Sequence, residues 1–452
     1  MPWSYSGSAE PGPAGHGILL NMVKLIAAAL LLSAAVLPAQ SKPHKAPGAD
    51  QLRFTLILSR HGVRPPLAPV ATLNPRSAQP WPEWEAPLGY LTPHGADAIR
   101  QMGVYLRSDL AKQNLLPATG CPSDGDIYLY ADTDERNIMS SFHTFAAFEP
   151  GCKPRPIHTI PPAAGVRDPM FSPGPPAFPA LSAEAVAADR RAFAGSDVET
   201  FFSIAGNPEL NELAKILAPD PAQPAAKPIL DDPNPIAVAS SLISDFSLEY
   251  ADNKPMADVG WGRVDSAALH RLMVLQIKAF SLSTRTPLVA RTHGSNLMAH
   301  ILDTLNQAAQ AATPAQPVAG AIGPAGARFV YISAHDSNLM NLAGLLNLNW
   351  NSDGLAFDTP PDSELVFELW QNPHSKQYAV RLLYRAQTFD QLRSAAALSK
   401  TNPPVEQVLI APGCTTAGPC PLASFDKAVH GLLDPAYVQA AMPALQITPA
   451  NF

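Results

Sequence analysis

Two strand-like runs that end in charged turns constrain this chain more than any other feature. Leu52 to Leu58 is a largely apolar run leading into Ser59-Arg-His-Gly-Val-Arg-Pro-Pro66, and Val330-Tyr-Ile-Ser-Ala leads likewise into His335-Asp336. Short runs of this kind, bounded by Gly and Pro, read as buried strands. In open α/β sheets, ligands bind just beyond the carboxyl ends of strands. Each run therefore delivers its charges to the place where a site would form. The fold must bring the two together across more than half the chain.

The residue types suit one chemistry. Arg60 and Arg64 are permanent, planar, multi-donor cations that match the oxygens of a phosphoryl group. His61 can attack phosphorus through an imidazole nitrogen, splitting one displacement into two easier ones. Neighbouring cations help keep it unprotonated. Asp336 can protonate the leaving oxygen and then deprotonate a water, while His335 adds a donor. Neither a metal nor a cofactor is called for.

Taken singly, each feature has a plainer reading. Arg-His-Gly after a strand is often only a turn, with Gly62 allowing the bend. Asp336 suits the start of a helix over Ser337 to Leu346. Arg136, in the first turn of a helix spaced from Asp134 to Phe148, would ordinarily be a solvated charge. The pairing of both turns with strand ends favours catalysis, and the run Ile127 to Tyr130 puts Arg136 at a third strand end.

With these residues in view, the chain resembles the histidine acid phosphatases, in particular the bacterial 4-phytase and glucose-1-phosphatase group. The likeness covers the chain beyond residue 50. It rests on Arg60-His-Gly-Val-Arg-Pro-Pro66, Trp81-Pro-Glu-Trp84, Leu91-Thr-Pro, Ala131-Asp-Thr-Asp-Glu-Arg136, Gly260-Trp-Gly-Arg263, His335-Asp-Ser-Asn338 and Thr359-Pro-Pro with Glu364-Leu-Val-Phe-Glu368. The resemblance implies that His61 and Asp336 are catalytic and that Arg60, Arg64, Arg136 and His335 bind phosphate. It also marks Leu67, Asp258 and Arg291 as substrate-pocket candidates. Where phytases of this group continue with Thr and Lys, this chain has Leu67 and Ala68, which removes a cation and weakens the attraction for a densely anionic ester. That departure leans toward a sugar phosphate, whereas Gly260-Trp-Gly-Arg263 leans toward phytate.

Composition agrees with an enzyme of small anions. At 452 residues and 46% hydrophobic the chain can bury a large core, and a net charge of −7 argues against the basic surface that nucleic acid requires. Many of the 49 prolines fall in Pro-Ala-rich stretches around 161–180, 218–235 and 313–325, read as loops remote from catalysis. From Met22, a lysine and an apolar stretch to Leu37 followed by Pro-Ala-Gln read as a secretory signal cleaved near Ala39, with the start at Met1 or Met22. The stretch is short for a membrane span, so the mature protein is expected to be periplasmic or secreted without a stable membrane anchor. In an exported chain four cysteines point to disulfides, and they allow three connectivities. The resemblance implies Cys121 with Cys152 and Cys414 with Cys420.

Thr92-Pro93 opens a helix with Ala96, Ile99, Leu106 and Leu110 on its apolar face. Leu365 to Trp370 and Tyr378 to Tyr384 read as an antiparallel strand pair, and Leu210 to Leu217 and Ala267 to Phe280 as helices. His293 reads as a polar loop residue. The expected fold is α/β: a mixed central sheet with flanking helices, phosphoglycerate-mutase-like by resemblance, plus a smaller, mainly helical cap. The expected division is residues 1–40 as upstream extension and signal, 51–165 with 281–452 as the core, and 166–280 as the cap. The expected function is an acid phosphatase acting on a small-molecule phosphomonoester, phytate or a sugar phosphate, through a phosphohistidine. The rivals are a phosphomutase of the same superfamily and a non-catalytic phosphate- or phytate-binding protein. Oligomeric state is not legible in the sequence.

Overall fold

The computed structural model describes residues 50–161, 167–310 and 316–448. The signal sequence expected over residues 22–40 lies outside them. Among the described residues the eleven strands are β1 (Gln51–Arg60), β2 (Ile127–Ala131), β3 (Ile157–Thr159), β4 (Phe329–Ala334), β5 (Asn351–Ser352), β6 (Leu355–Ala356), β7 (Glu364–Gln371), β8 (Tyr378–Ala386), β9 (Val405–Val408), β10 (Cys420–Pro421) and β11 (Gln446–Ile447). Nine of them form one sheet in the order β10-β8-β7-β1-β4-β2-β3-β11, with β9 also on β8, and β5 with β6 makes a separate hairpin. β1, β4, β2 and β3 run parallel, whereas β7 and β8 continue the sheet antiparallel.

Alternation of side chains across β1 explains why its apolar run is nearly continuous. Leu56 and Leu58 face one side, with Leu297, Ile301 and Leu339. Ile57 faces the other, with Met102, Leu106 and Phe145. Helices thus cover both faces. Among the described residues the twelve helices are α1 (Val70–Leu73), α2 (Pro93–Lys112), α3 (Glu135–Phe148), α4 (Ala183–Ala194), α5 (Val198–Phe202), α6 (Pro208–Leu217), α7 (Pro235–Ala251), α8 (Ser266–Thr284), α9 (Pro287–Ala308), α10 (Asp336–Leu345), α11 (Phe389–Ser394) and α12 (Leu422–Leu432). α2 begins as its sequence dictates, with Thr92 Oγ1 accepting from the Gly95 amide and Pro93 at the first helical position.

Helices α5 to α8 pack around Leu213, Leu242, Phe246 and Leu272, a core that Val63, Ala98 and Phe389 also enter. Trp81 stacks on Phe246 at 5.0 Å and meets Trp261 edge-on at 5.2 Å. Gly260 and Trp261 both adopt left-handed backbone, and the Gly260 amide donates to Glu249 at 3.2 Å. The tryptophan and Gly-Trp-Gly motifs therefore hold this helical region together. His293 corrects an expectation: it lies within α9, because the apolar positions on either side of it bury that helix in the core.

Both disulfides form, Cys121–Cys152 and Cys414–Cys420. Among the described residues, no helix is long and apolar enough to cross a membrane.

Candidate active site

Register is what assembles the site. β1 pairs with β4 so that Arg60 lies opposite Ala334, and β2 pairs with β4 so that Ala131 lies opposite Ser333. The next residues of the three strands, His61, His335 and Asp132, therefore emerge side by side. Asp336 follows as the first residue of α10, and Arg136 sits in the first turn of α3, which starts directly beyond β2.

His61 is buried, with 2% of its surface exposed. Its Nδ1 lies 2.8 Å from the Gly62 carbonyl. A carbonyl only accepts, so Nδ1 carries the proton and Nε2 presents its lone pair. Burial, then Arg136, Arg60, His335 and Arg64, hold the imidazole well below its usual pKa. Burial and the neighbouring cations thus favour the neutral ring. His335 meets it edge-on at 5.5 Å.

The arginines crowd one space. Arg60 Nη2 lies 3.0 Å from Asp336 Oδ2, and its Nη1 donates to the Thr359 carbonyl. Burial lowers Arg64 to about 10, and Arg60 adds to the fall. Arg136 donates to Asp134 and, at 3.2 Å, to the Gly89 carbonyl. The Nε atoms of Arg60, Arg64 and Arg136 are buried without a hydrogen-bond partner among the described residues. Unpartnered buried donors are costly, and a multi-oxygen anion is the group that would satisfy them.

On the acid side, burial raises the Asp336 carboxyl, but Arg60, Arg64 and His335 outweigh it and hold it below the usual range. His335 Nε2 lies 2.7 Å from Asp132 Oδ2 and 3.2 Å from Asn137 Nδ2. Asp132, Asp134 and His335 form the one group of metal-ligand type among the described residues. Arg136 already engages Asp134, so the trio works as a charge-matched clamp that orients His335.

These groups open into a cleft of about 450 Å³, lined by His61, Arg64, Leu67, Asp132, Thr133, Asp134, Arg136, Arg167, Ser172, His335, Asp336 and Ser337. Leu67 lines the cleft. Asp258 and Arg291 do not line the cleft. Asp258 is exposed before a 3-10 turn, and Arg291 reaches outward from α9 to the Leu433 carbonyl at 3.0 Å.

Two features escaped the sequence reading. Asp132 follows a strand end just as His61 and His335 do, a signal that was available. Arg167 and Ser172 come from the proline-rich stretch set aside as remote, and no local pattern betrays them.

Residues 51–385 match the histidine phosphatase superfamily, branch 2. Among curated relatives, phytase AppA of Escherichia coli is 31% identical, covering 88% of this chain and 94% of that protein. Glucose-1-phosphatase of Salmonella typhimurium is 28% identical over 90% of this chain and 97% of that protein. Among solved structures, Hafnia alvei phytase in complex with myo-inositol hexakis sulphate superposes with a TM-score of 0.76 at 30% identity, covering 87% of this chain and all of that one.

Proposed function

The chain belongs to the histidine phosphatase superfamily, branch 2, and on that premise we propose that it hydrolyses phosphomonoesters with His61 as nucleophile and Asp336 as proton donor. It is a phosphatase of the histidine acid phosphatase type. The observation that carries the assignment of roles is His61: buried, tautomerically fixed through Gly62, held neutral, and surrounded by Arg60, Arg64 and Arg136.

In the first step His61 Nε2 attacks phosphorus, the bond from phosphorus to the ester oxygen breaks, and Asp336 gives its proton to that oxygen. In the second, water attacks the phosphohistidine, Asp336 takes a proton from it, and the phosphorus–nitrogen bond breaks to restore His61. The arginines neutralise charge that spreads over the phosphoryl oxygens in both steps. Substrate also prepares the acid. Its phosphate competes for Arg60 and Arg64, the groups that hold the Asp336 carboxyl low, so the carboxyl becomes a better proton carrier once the ester is bound.

The likeness to phytase AppA and to glucose-1-phosphatase supports phytate or a sugar phosphate as substrate. We read residues 166–280 as a cap that selects the leaving group. Two disulfides support export to an oxidising compartment, with residues 22–40 as the signal.

The test is phosphate release under acid conditions from phytate, glucose 1-phosphate and an aryl phosphate, comparing the protein with His61→Ala. Alkaline quenching should leave phosphate on the peptide that carries His61. Equal turnover by both proteins, or a label elsewhere, would sink the assignment.

A further inference from the structure

The cleft contains an arginine that the two-step chemistry does not use. Arg167 lines it, is exposed, and makes no hydrogen bond or ion pair among the described residues. The segment that carries it is anchored. Asp168, fully buried, accepts from the Tyr130 hydroxyl and, at 2.9 Å, from the Met170 amide. Asn296 donates to the Pro169 carbonyl at 3.1 Å and Asn338 to the Phe171 carbonyl at 2.8 Å. Met170 and Phe171 are buried in the core that packs under the sheet. Asn338 also accepts from the His335 amide at 3.1 Å, so one side chain ties this segment to the catalytic turn.

A long side chain on an anchored base loses less freedom on binding than one on a loose loop. The cleft, at about 450 Å³, exceeds what one phosphoryl group fills, and Leu67 is the one large apolar lining residue among the described residues. A charged group on the far part of the substrate therefore meets Arg167 in a polar setting. We propose that Arg167 is a specificity residue that grips a second anionic group on the substrate, so that the enzyme favours esters carrying two or more phosphates over simple monophosphates. It supplies, from the segment after β3, a cation of the kind that Leu67 and Ala68 leave out beyond β1. The proposal rests on the phosphatase reading for its reaction, and its test separates the two.

Glucose 1-phosphate and glucose 1,6-bisphosphate differ by a single phosphate. Initial rates on both would be measured for the protein, Arg167→Ala and Arg167→Lys. In Arg167→Ala the ratio of kcat/KM for the bisphosphate to that for the monophosphate should fall about tenfold, the worth of one charge-assisted contact. The change should lie in KM, and lysine should restore part of it. An unmoved ratio overturns the proposal. The same pair of ligands would be titrated calorimetrically into His61→Ala with and without Arg167→Ala. Absence of turnover in the unmutated protein would defeat the phosphatase reading. The ratio of the two dissociation constants would still decide the role of Arg167, a fall of about tenfold supporting it and no change refuting it.

Discussion

The amide of His61 donates to the carbonyl of Ala334 at 3.0 Å. This one bond extends the β1–β4 ladder a step past its last paired residues and fixes the distance between the His61 turn and the His335-Asp336 turn. On the proposed roles neither turn could carry the reaction alone, because His61 would attack from one and Asp336 would donate the proton from the other.

The division of labour between them is measurable with leaving groups. His61→Ala should abolish hydrolysis of every ester. Asp336→Asn should lower kcat by about 10²- to 10⁴-fold for alkyl phosphates and far less for an aryl phosphate whose leaving oxygen needs no proton. A plot of log kcat against leaving-group pKa should steepen in Asp336→Asn, and parallel lines would remove Asp336 from its role.

Stability should depend on pH through Asp245 of α7. Burial pushes this carboxyl up to about 7, and Arg64 only partly offsets it. The folded protein thus keeps a proton that the unfolded chain has lost above about pH 4. The contribution is fully present below that pH and is lost as pH rises through about 7. Thermal melts should show that Asp245→Asn falls less in Tm between pH 5 and 8 than the unmutated protein; identical slopes would contradict the linkage.

Gly95 is where α2 touches the loop that follows β1. A Cβ there would lie 2.7 Å from the Val63 carbonyl oxygen and 2.9 Å from Thr92 Oγ1. Gly95→Ala should therefore cost about 1–3 kcal/mol despite alanine's better helix propensity, read by urea unfolding. Activity should drop as well, since Val63 lies between His61 and Arg64.

The two disulfides should differ in worth. Cys121–Cys152 closes 31 residues and Cys414–Cys420 only 6. On the chain-entropy account these constrain the unfolded state by about 3.7 and about 2.2 kcal/mol. Replacing the first pair with serine should lower Tm more than replacing the second.

Much of this was legible before any fold. The cradle of Arg60, His61 and Arg64, the pair His335-Asp336, and the start of α2 at Thr92 are local. Each is a strand end or a cap whose chemistry lies within a few consecutive residues. Arg136 was legible only by its place beyond β2 and by resemblance. His293 was misread because Gly294 and polar neighbours suggest a loop, whereas burial of Leu297, Met298 and Ile301 on the same helix decides otherwise.

By itself, then, the sequence determined the candidate site's residue types, Arg60, His61, Arg64, His335 and Asp336, because side-chain type and strand-end position are written in short words. Tertiary structure alone decided which of the remaining charges join them. Asp258 and Arg291 do not line the cleft and Arg167 does, because which side chains meet at a site depends on how distant segments pack. For the segment at Asp168, that packing is set by Tyr130, Asn296 and Asn338, none of them its neighbours in sequence.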